Sequence, residues 1–195
     1  MFLKHLRTAA ISIVLFSVLT GLLYPLAITG IAQLIFPSQA NGSLIKSDGK
    51  VVGSSLIGQP FSDQKYFWSR ISPTSPYPYN AAASTGSNIG PTNPALSSEV
   101  TQRISDLNKV DSLNTQPVPV DLVTSSGSGL DPHISIAAAL YQLPRVAKVR
   151  GLSPDLLRSL VDKFTDGRFL GFIGEPGVNV LRLNLALDEI QKKEK

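Results

Sequence analysis

Residues 125–135 read SSGSGLDPHIS, which places serines, an aspartate and a histidine in one glycine-rich bend. Such residues can form a nucleophile and its base, a metal site or a cradle of backbone amides, and each chemistry has requirements. His133 is the one histidine besides His5, so a Ser-His-acid hydrolase would need it as base. Asp131 lies two residues away, and in a helix such a pair points to different sides. The elbow G-x-S-x-G that exposes a nucleophilic serine is missing, since Ser128 stands in S-G-S-G. Asp131 and His133 are also too few for a metal site, which usually needs three or more protein ligands. The local reading is simpler. Asp131 caps a helix by accepting backbone N–H bonds, Pro132 sets its first φ, and Gly127 and Gly129 let the chain turn into it. His133 then sits in the first turn, free to bond a neighbour or a partner chain.

Neither G-x-x-x-x-G-K-[ST] nor G-x-G-x-x-G occurs. Two glycine and serine loops, 84–90 (STGSNIG) and 125–130, remain as backbone cradles. No Lys or Arg falls between Arg70 and Arg103 or between Lys109 and Arg145, so a phosphate there would rest on amide N–H groups alone.

The elements that would position these loops follow from local signals. SLIKSDGKVVGSSLIG (43–58) alternates about Asp48-Gly49 and predicts a β-hairpin. Tyr66, Phe67 and Trp68 within 59–73 suit a half-buried strand, which Pro73, Pro76 and Pro78 then stop. Residues 71–98 carry no charge, and their tyrosines and asparagines predict an ordered functional loop. Asn93-Pro94 opens a helix whose Leu96, Val100, Ile104 and Leu107 form one apolar stripe. VPVDLVTSS (118–126) reads as a strand. Asp131-Pro132 and Ser153-Pro154 each open a helix, and 174–190 alternates before a terminal helix. Without a regular βαβ rhythm, the class is α+β.

These elements follow an anchor. No charged side chain lies between Arg7 and Lys46, and Ile11 to Ile31 is dense in Leu, Ile, Val and Phe. About twenty such residues cross a roughly 30 Å hydrocarbon layer, which predicts a transmembrane helix over 10–36. Ser38-Gln39-Ala40 resembles a signal cleavage site, but signal cores run about 7 to 15 residues, and this one is about twice that. The segment is therefore read as retained. Lys4 and Arg7 hold a tail of residues 1–9 in the cytoplasm and send residues 37–195 across the membrane as one mixed α+β extracytoplasmic domain. Cysteine is absent, which excludes disulfides and thiolate metal sites. Without Lys4 and Arg7, the 18 basic residues become 16 against 14 acidic ones, a net of +2, too weak and scattered for nucleic acid.

Taken together, the basic tail, the span, YFWSR (66–70), SNIGPTNP (87–94), VDLVTSSGSGLDPHIS (120–135), YQLPRVAKVRGL (141–152) and VNVLRLNLALD (178–188) resemble the C subunit of the Kdp potassium-transporting ATPase. The resemblance runs nearly end to end and implies a small non-catalytic subunit of the bacterial inner membrane. Its implied partners are a K⁺-conducting A subunit, an ATP-hydrolysing B subunit and a very small F subunit. The implied roles are to stabilise assembly and, as a catalytic chaperone, to raise the ATP affinity of the B subunit. The resemblance assigns nucleotide contact to Ser84, Thr85, Gly86, Ser87 and Asn88, with ATP the one ligand implied and none held firmly. Thr85 stands where a second glycine is common, and Ile136 where proline is usual. The expected partner-facing residues are Trp68, Arg70, Tyr77, Tyr79, Asn93, Asp131 and His133. The positive-inside orientation opposes the nucleotide role, because ATP is hydrolysed on the other side of the membrane. A lone anchored envelope domain, binding a cell-wall or sugar ligand through its Asn- and Tyr-rich loop, is the alternative.

Overall fold

The computed structural model describes residues 2–193. An apolar run interrupted only by Gly21, Pro25 and Gly30 favours one long helix. α1 (Phe2–Val18), a π turn (Leu19–Leu23) and α2 (Tyr24–Ile35) form it, 34 residues with nothing buried and an 18-residue stretch of mean hydropathy 2.2. It starts earlier than the span read from composition and takes in Lys4 and Arg7. At a 1.5 Å rise it measures roughly 50 Å, enough to cross a bilayer with a turn or more to spare. Pro25 has no N–H for the Gly21 carbonyl, and the helix widens to i→i−5 pairing just before it: Tyr24 N–H donates to Leu19 O. Phe36-Pro37 ends α2, and α3 (Pro37–Ala40) adds a single turn.

The chain divides after Leu44 into this helical unit and a unit beginning at Ile45. β1 (Leu44–Ser47) and β2 (Lys50–Ser54) form the expected hairpin, with Asp48 and Gly49 at φ +50° and +76° as a type I′ turn requires. α4 (Pro94–Val110) starts at Asn93, whose side chain accepts from Ala95 N–H, and turns Leu107, Val100 and Ile104 inward. α7 (Pro154–Lys163) is capped by Ser153 as expected.

Three expectations need correction. Residues 118–126 are not a strand: α5 (Val120–Val123) is one helical turn. Pro117 and Pro119 remove two ladder donors, and Asp121 accepts from Ser135 N–H at 2.7 Å and Oγ at 3.0 Å. Asp131 does not cap the next helix. His133–Ile134 forms β3, and α6 (Ile136–Arg150) is capped by Ser135, whose Oγ accepts from Ala138 N–H. Ile136 thus takes the first helical position, where proline is also tolerated.

Residues 59–73 form no strand either; a lone parallel bridge joins Ile71 to Ser125. Buried amide side chains replace the missing partner strand. Asn184 Oδ1 accepts from Phe67 N–H and its Nδ2 donates to Phe67 O, both at 2.9 Å. Gln142 does the same for Trp68, at 2.8 and 3.2 Å. Arg145 donates to the carbonyls of Gln64 and Tyr66, and Arg150 to that of Lys65. The guanidinium groups of Arg103 and Arg145 both lie over the Trp68 ring, 5.0 and 5.2 Å from its centroid. Burial lowers the Arg145 pKa to about 10, still a cation at neutral pH.

The remaining strands are β4 (Thr165–Asp166) and β5 (Gly177–Asn179), and α8 (Val180–Lys193) follows. β5 lies between β3 and β4 in an antiparallel sheet, with His133 opposite Asn179 and Asp166 opposite Gly177. Phe67, Leu122, Ile134, Leu157, Val178 and Leu183 centre the core between this sheet and helices α6, α7 and α8.

Candidate functional site

The two serine- and glycine-rich loops fold onto each other, with Ser84 and Ser128 in contact across 44 residues of sequence. Thr85 N–H and the Ser84 hydroxyl both donate to Ser128 O, at 3.0 and 2.9 Å. The contact is backbone to backbone: a Cβ on Gly129, at φ +68°, would lie 2.7 Å from Thr85 O and 2.6 Å from Thr74 Cγ2. Ser72 Oγ donates to Gly129 O and accepts from Tyr79 N–H. Thr85 Oγ1 and Asn88 Nδ2 donate to Gly86 O. Much of the donor capacity expected to face a nucleotide is therefore spent inside the domain.

Arg70 anchors the other side of the bend. Its Nη1 donates to Asp131 Oδ2 at 3.1 Å and its Nη2 to Ser125 O at 3.1 Å. The Asp131 carboxylate also accepts from His133 N–H. That spending is the reason Asp131 is not a helix cap. Beyond it, His133 lies between two acids, with Nδ1 3.6 Å from Asp131 and Nε2 2.9 Å from Asp166. Arg182 continues the chain of charges, 3.7 Å from Asp166. Asp166 and Arg182 had no local signal; β4 and α8 bring them in from the far end of the sequence.

The electrostatics follow from this alternation. Asp131, with Asp166 beside it, raises the His133 pKa against the opposing effect of burial. Burial would raise Asp131, but the bonds from His133 and the charge of Arg70 outweigh it, and its pKa is lowered. The two acids address opposite ring nitrogens, so they do not converge on one ion, and among the described residues no trio of such ligands could hold a metal. Ser135, the nearest serine downstream, hydrogen-bonds Asp121 and caps α6, not His133. A cleft of about 390 Å³ opens beside these groups, lined by Arg70, Asp121, Asp131, His133 and Glu175 among others. Three carboxylates against one arginine and a histidine give a phosphate little to hold.

The remaining residues singled out in the sequence are spread. Trp68 is only 5% exposed and serves the 64–70 segment. Tyr79 is buried, its hydroxyl donating to Arg70 O at 2.6 Å, and burial raises its pKa. Tyr77 is 58% exposed and offers its ring to solvent. Asn93 is occupied as the cap of α4. The structure thus unites Arg70, Asp131, His133 and Tyr79 with the loop at 84–88.

The family model described as K⁺-transporting ATPase, c chain (KdpC) matches residues 6–189. The chain belongs to the KdpC family. The potassium-transporting ATPase KdpC subunit of Methylococcus capsulatus is 57% identical over 189 residues, 97% of this chain and 100% of that protein. The KdpC subunit of Sorangium cellulosum is 58% identical over 186 residues, 95% and 98% of the two chains. That of Paraburkholderia xenovorans is 56% identical over 186 residues, 95% and 97%. The match takes in the apolar helix as well as the C-terminal unit, so both belong to the KdpC architecture. For a KdpC chain, the Arg70–Asp131–His133 cluster and its two loops are best understood as an ordered surface, closed on itself by hydrogen bonds.

Proposed function

We propose that this chain is a non-catalytic accessory subunit that steadies the assembly of a K⁺-transporting ATPase. Its apolar helix lies in the bacterial inner membrane with the N-terminus in the cytoplasm, and residues 37–195 stand outside. There they dock on a K⁺-conducting A subunit, in a complex with an ATP-hydrolysing B subunit and a small F subunit. The observation that carries this reading is the family match over 6–189, which covers anchor and domain alike. Lys4 and Arg7 ahead of the span support the orientation. The internal hydrogen bonds of the two loops support a docking scaffold over a ligand cradle.

The catalytic-chaperone role belongs to the same proposal. With the domain outside, the chain raises the ATP affinity of the B subunit through contacts with its partners, not by gripping ATP at Ser84–Asn88. Membranes from cells deleted for this chain test it: K⁺-stimulated ATP hydrolysis at low ATP should fall about tenfold or more and return when the chain is supplied. Unchanged hydrolysis overturns the accessory role. Calorimetric titration of the full-length chain with ATP should show no saturable heat; clean saturation would restore direct nucleotide contact.

A further inference from the structure

Residues 168–175, RFLGFIGE, leave the C-terminal unit as a short hairpin. Phe169 and Ile173 exchange backbone hydrogen bonds of 2.8 and 3.0 Å, and Leu170 and Gly171 turn the chain at φ +52° and +82°. At the neck, the Arg168 guanidinium holds both Glu175 carboxylate oxygens, at 3.0 and 2.8 Å. Backbone and charge are closed within the hairpin. Its side chains are not: Phe169, Leu170, Phe172 and Ile173 are 69, 71, 72 and 50% exposed. Four adjoining large apolar side chains on one ordered tip form a patch of the kind that marks an interaction site.

We propose that this finger seats in an apolar socket on a membrane-embedded protein subunit of the same transporter, which rests on the accessory-subunit reading above. Charge selects protein over lipid. The tip itself, residues 169–174, carries no charge, and the arginine at its neck is already paired with Glu175, whereas a tip that enters an anionic bilayer gains from surplus basic residues. Order points the same way. A turn fixed by its own hydrogen bonds and an ion-pair clamp loses little freedom on docking and presents one shape to a matching pocket. The tip is smaller than the roughly 800 Å² per partner of a standard interface, so it acts as one anchor within a wider contact.

The chain has no cysteine, so L170C supplies a single thiol. The full-length variant is reacted with a water-soluble maleimide, alone in nanodiscs and again co-assembled with its partner subunits. Labelling should be fast alone and at least about tenfold slower in the assembly. Equal fast rates overturn the proposal. Slow labelling in both also overturns it and assigns the tip to lipid. In parallel, the F169S/F172S pair should cut recovery of the partner subunits about tenfold or more, with F169L/F172L retaining them; full recovery with the serine pair counts against the socket. If the unaltered chain recovers no partners, the accessory reading falls and the socket with it. If it recovers them while the labelling rate stays fast, the socket alone falls.

Discussion

Segments 64–70 and 168–175 are both rich in aromatic side chains, and the protein treats them oppositely. In 64–70, Phe67 and Trp68 go into the core, their backbone groups met by Asn184 and Gln142, while Arg145 and Arg150 take the carbonyls of Tyr66 and Lys65. In 168–175 the backbone pairs with itself, and Phe169 and Phe172 remain in water. A segment whose polar groups need the rest of the domain is part of the fold. One that satisfies its own polar groups and exposes its apolar ones is available to something else.

The sharpest way to break this contrast is Asn184→Leu, which strands the N–H and C=O of Phe67 in the core. At about 1–3 kcal/mol for each buried unpaired group, the loss should be roughly 3–5 kcal/mol. Urea unfolding of the full-length chain in detergent, followed by the fluorescence of its single tryptophan, Trp68, reads this directly. A loss below about 1 kcal/mol would mean that water replaces the amide and the segment is not core-bound.

Next in size is Gly129→Ala, which places a Cβ against Thr85 O and Thr74 at a positive φ. It should cost about 2 kcal/mol and loosen the 84–88 loop, seen as faster amide exchange there. Unchanged exchange would separate the two loops.

His133 provides a pH-dependent test. Its raised pKa means that the charged ring favours the folded state, so the stabilisation is complete below the ordinary value of 6.5 and is lost as pH rises through the folded-state pKa. His133→Gln should therefore cost most near pH 6, about 0.5–1 kcal/mol given the partly exposed, screened setting, and little at pH 9. Equal cost at both ends would deny the ion pairs with Asp131 and Asp166. The smallest effect belongs to the finger: F169S/F172S should move the stability of the chain alone by under about 0.5 kcal/mol. A larger loss would make the hairpin part of the core and erase the contrast.

What could be read from the sequence was what is settled locally. Asp48-Gly49 dictates its turn, and Asn93-Pro94 and Ser153-Pro154 open helices because cap and first residue are neighbours. The class, α+β behind one apolar helix, followed from the same signals. Segment 59–73 looks like a strand but is not one, because its pairing partners are side chains 74 and 117 residues away, which no alternation pattern announces. The start of α6 was displaced because Asp131 and Ser135 both have capping chemistry, and Arg70 claims the aspartate from 61 residues upstream. In the candidate site, Arg70, Asp131 and His133 were within reach of sequence reasoning. Asp166 and Arg182 were not, since only the β3–β5–β4 sheet brings them to His133. The finger has one local cue, Gly171 between the apolar pairs Phe169-Leu170 and Phe172-Ile173, and none of these side chains carries chemistry of its own.

The central claim is that this chain works as one subunit of a larger transporter. Affinity purification of the tagged full-length chain from its own membranes in a mild detergent, with every co-purifying protein identified by mass spectrometry, tests it most directly. Stoichiometric recovery of a large K⁺-conducting subunit and an ATP-hydrolysing subunit is expected. Recovery of the chain by itself, folded and free of both, would contradict it and favour a solitary envelope domain.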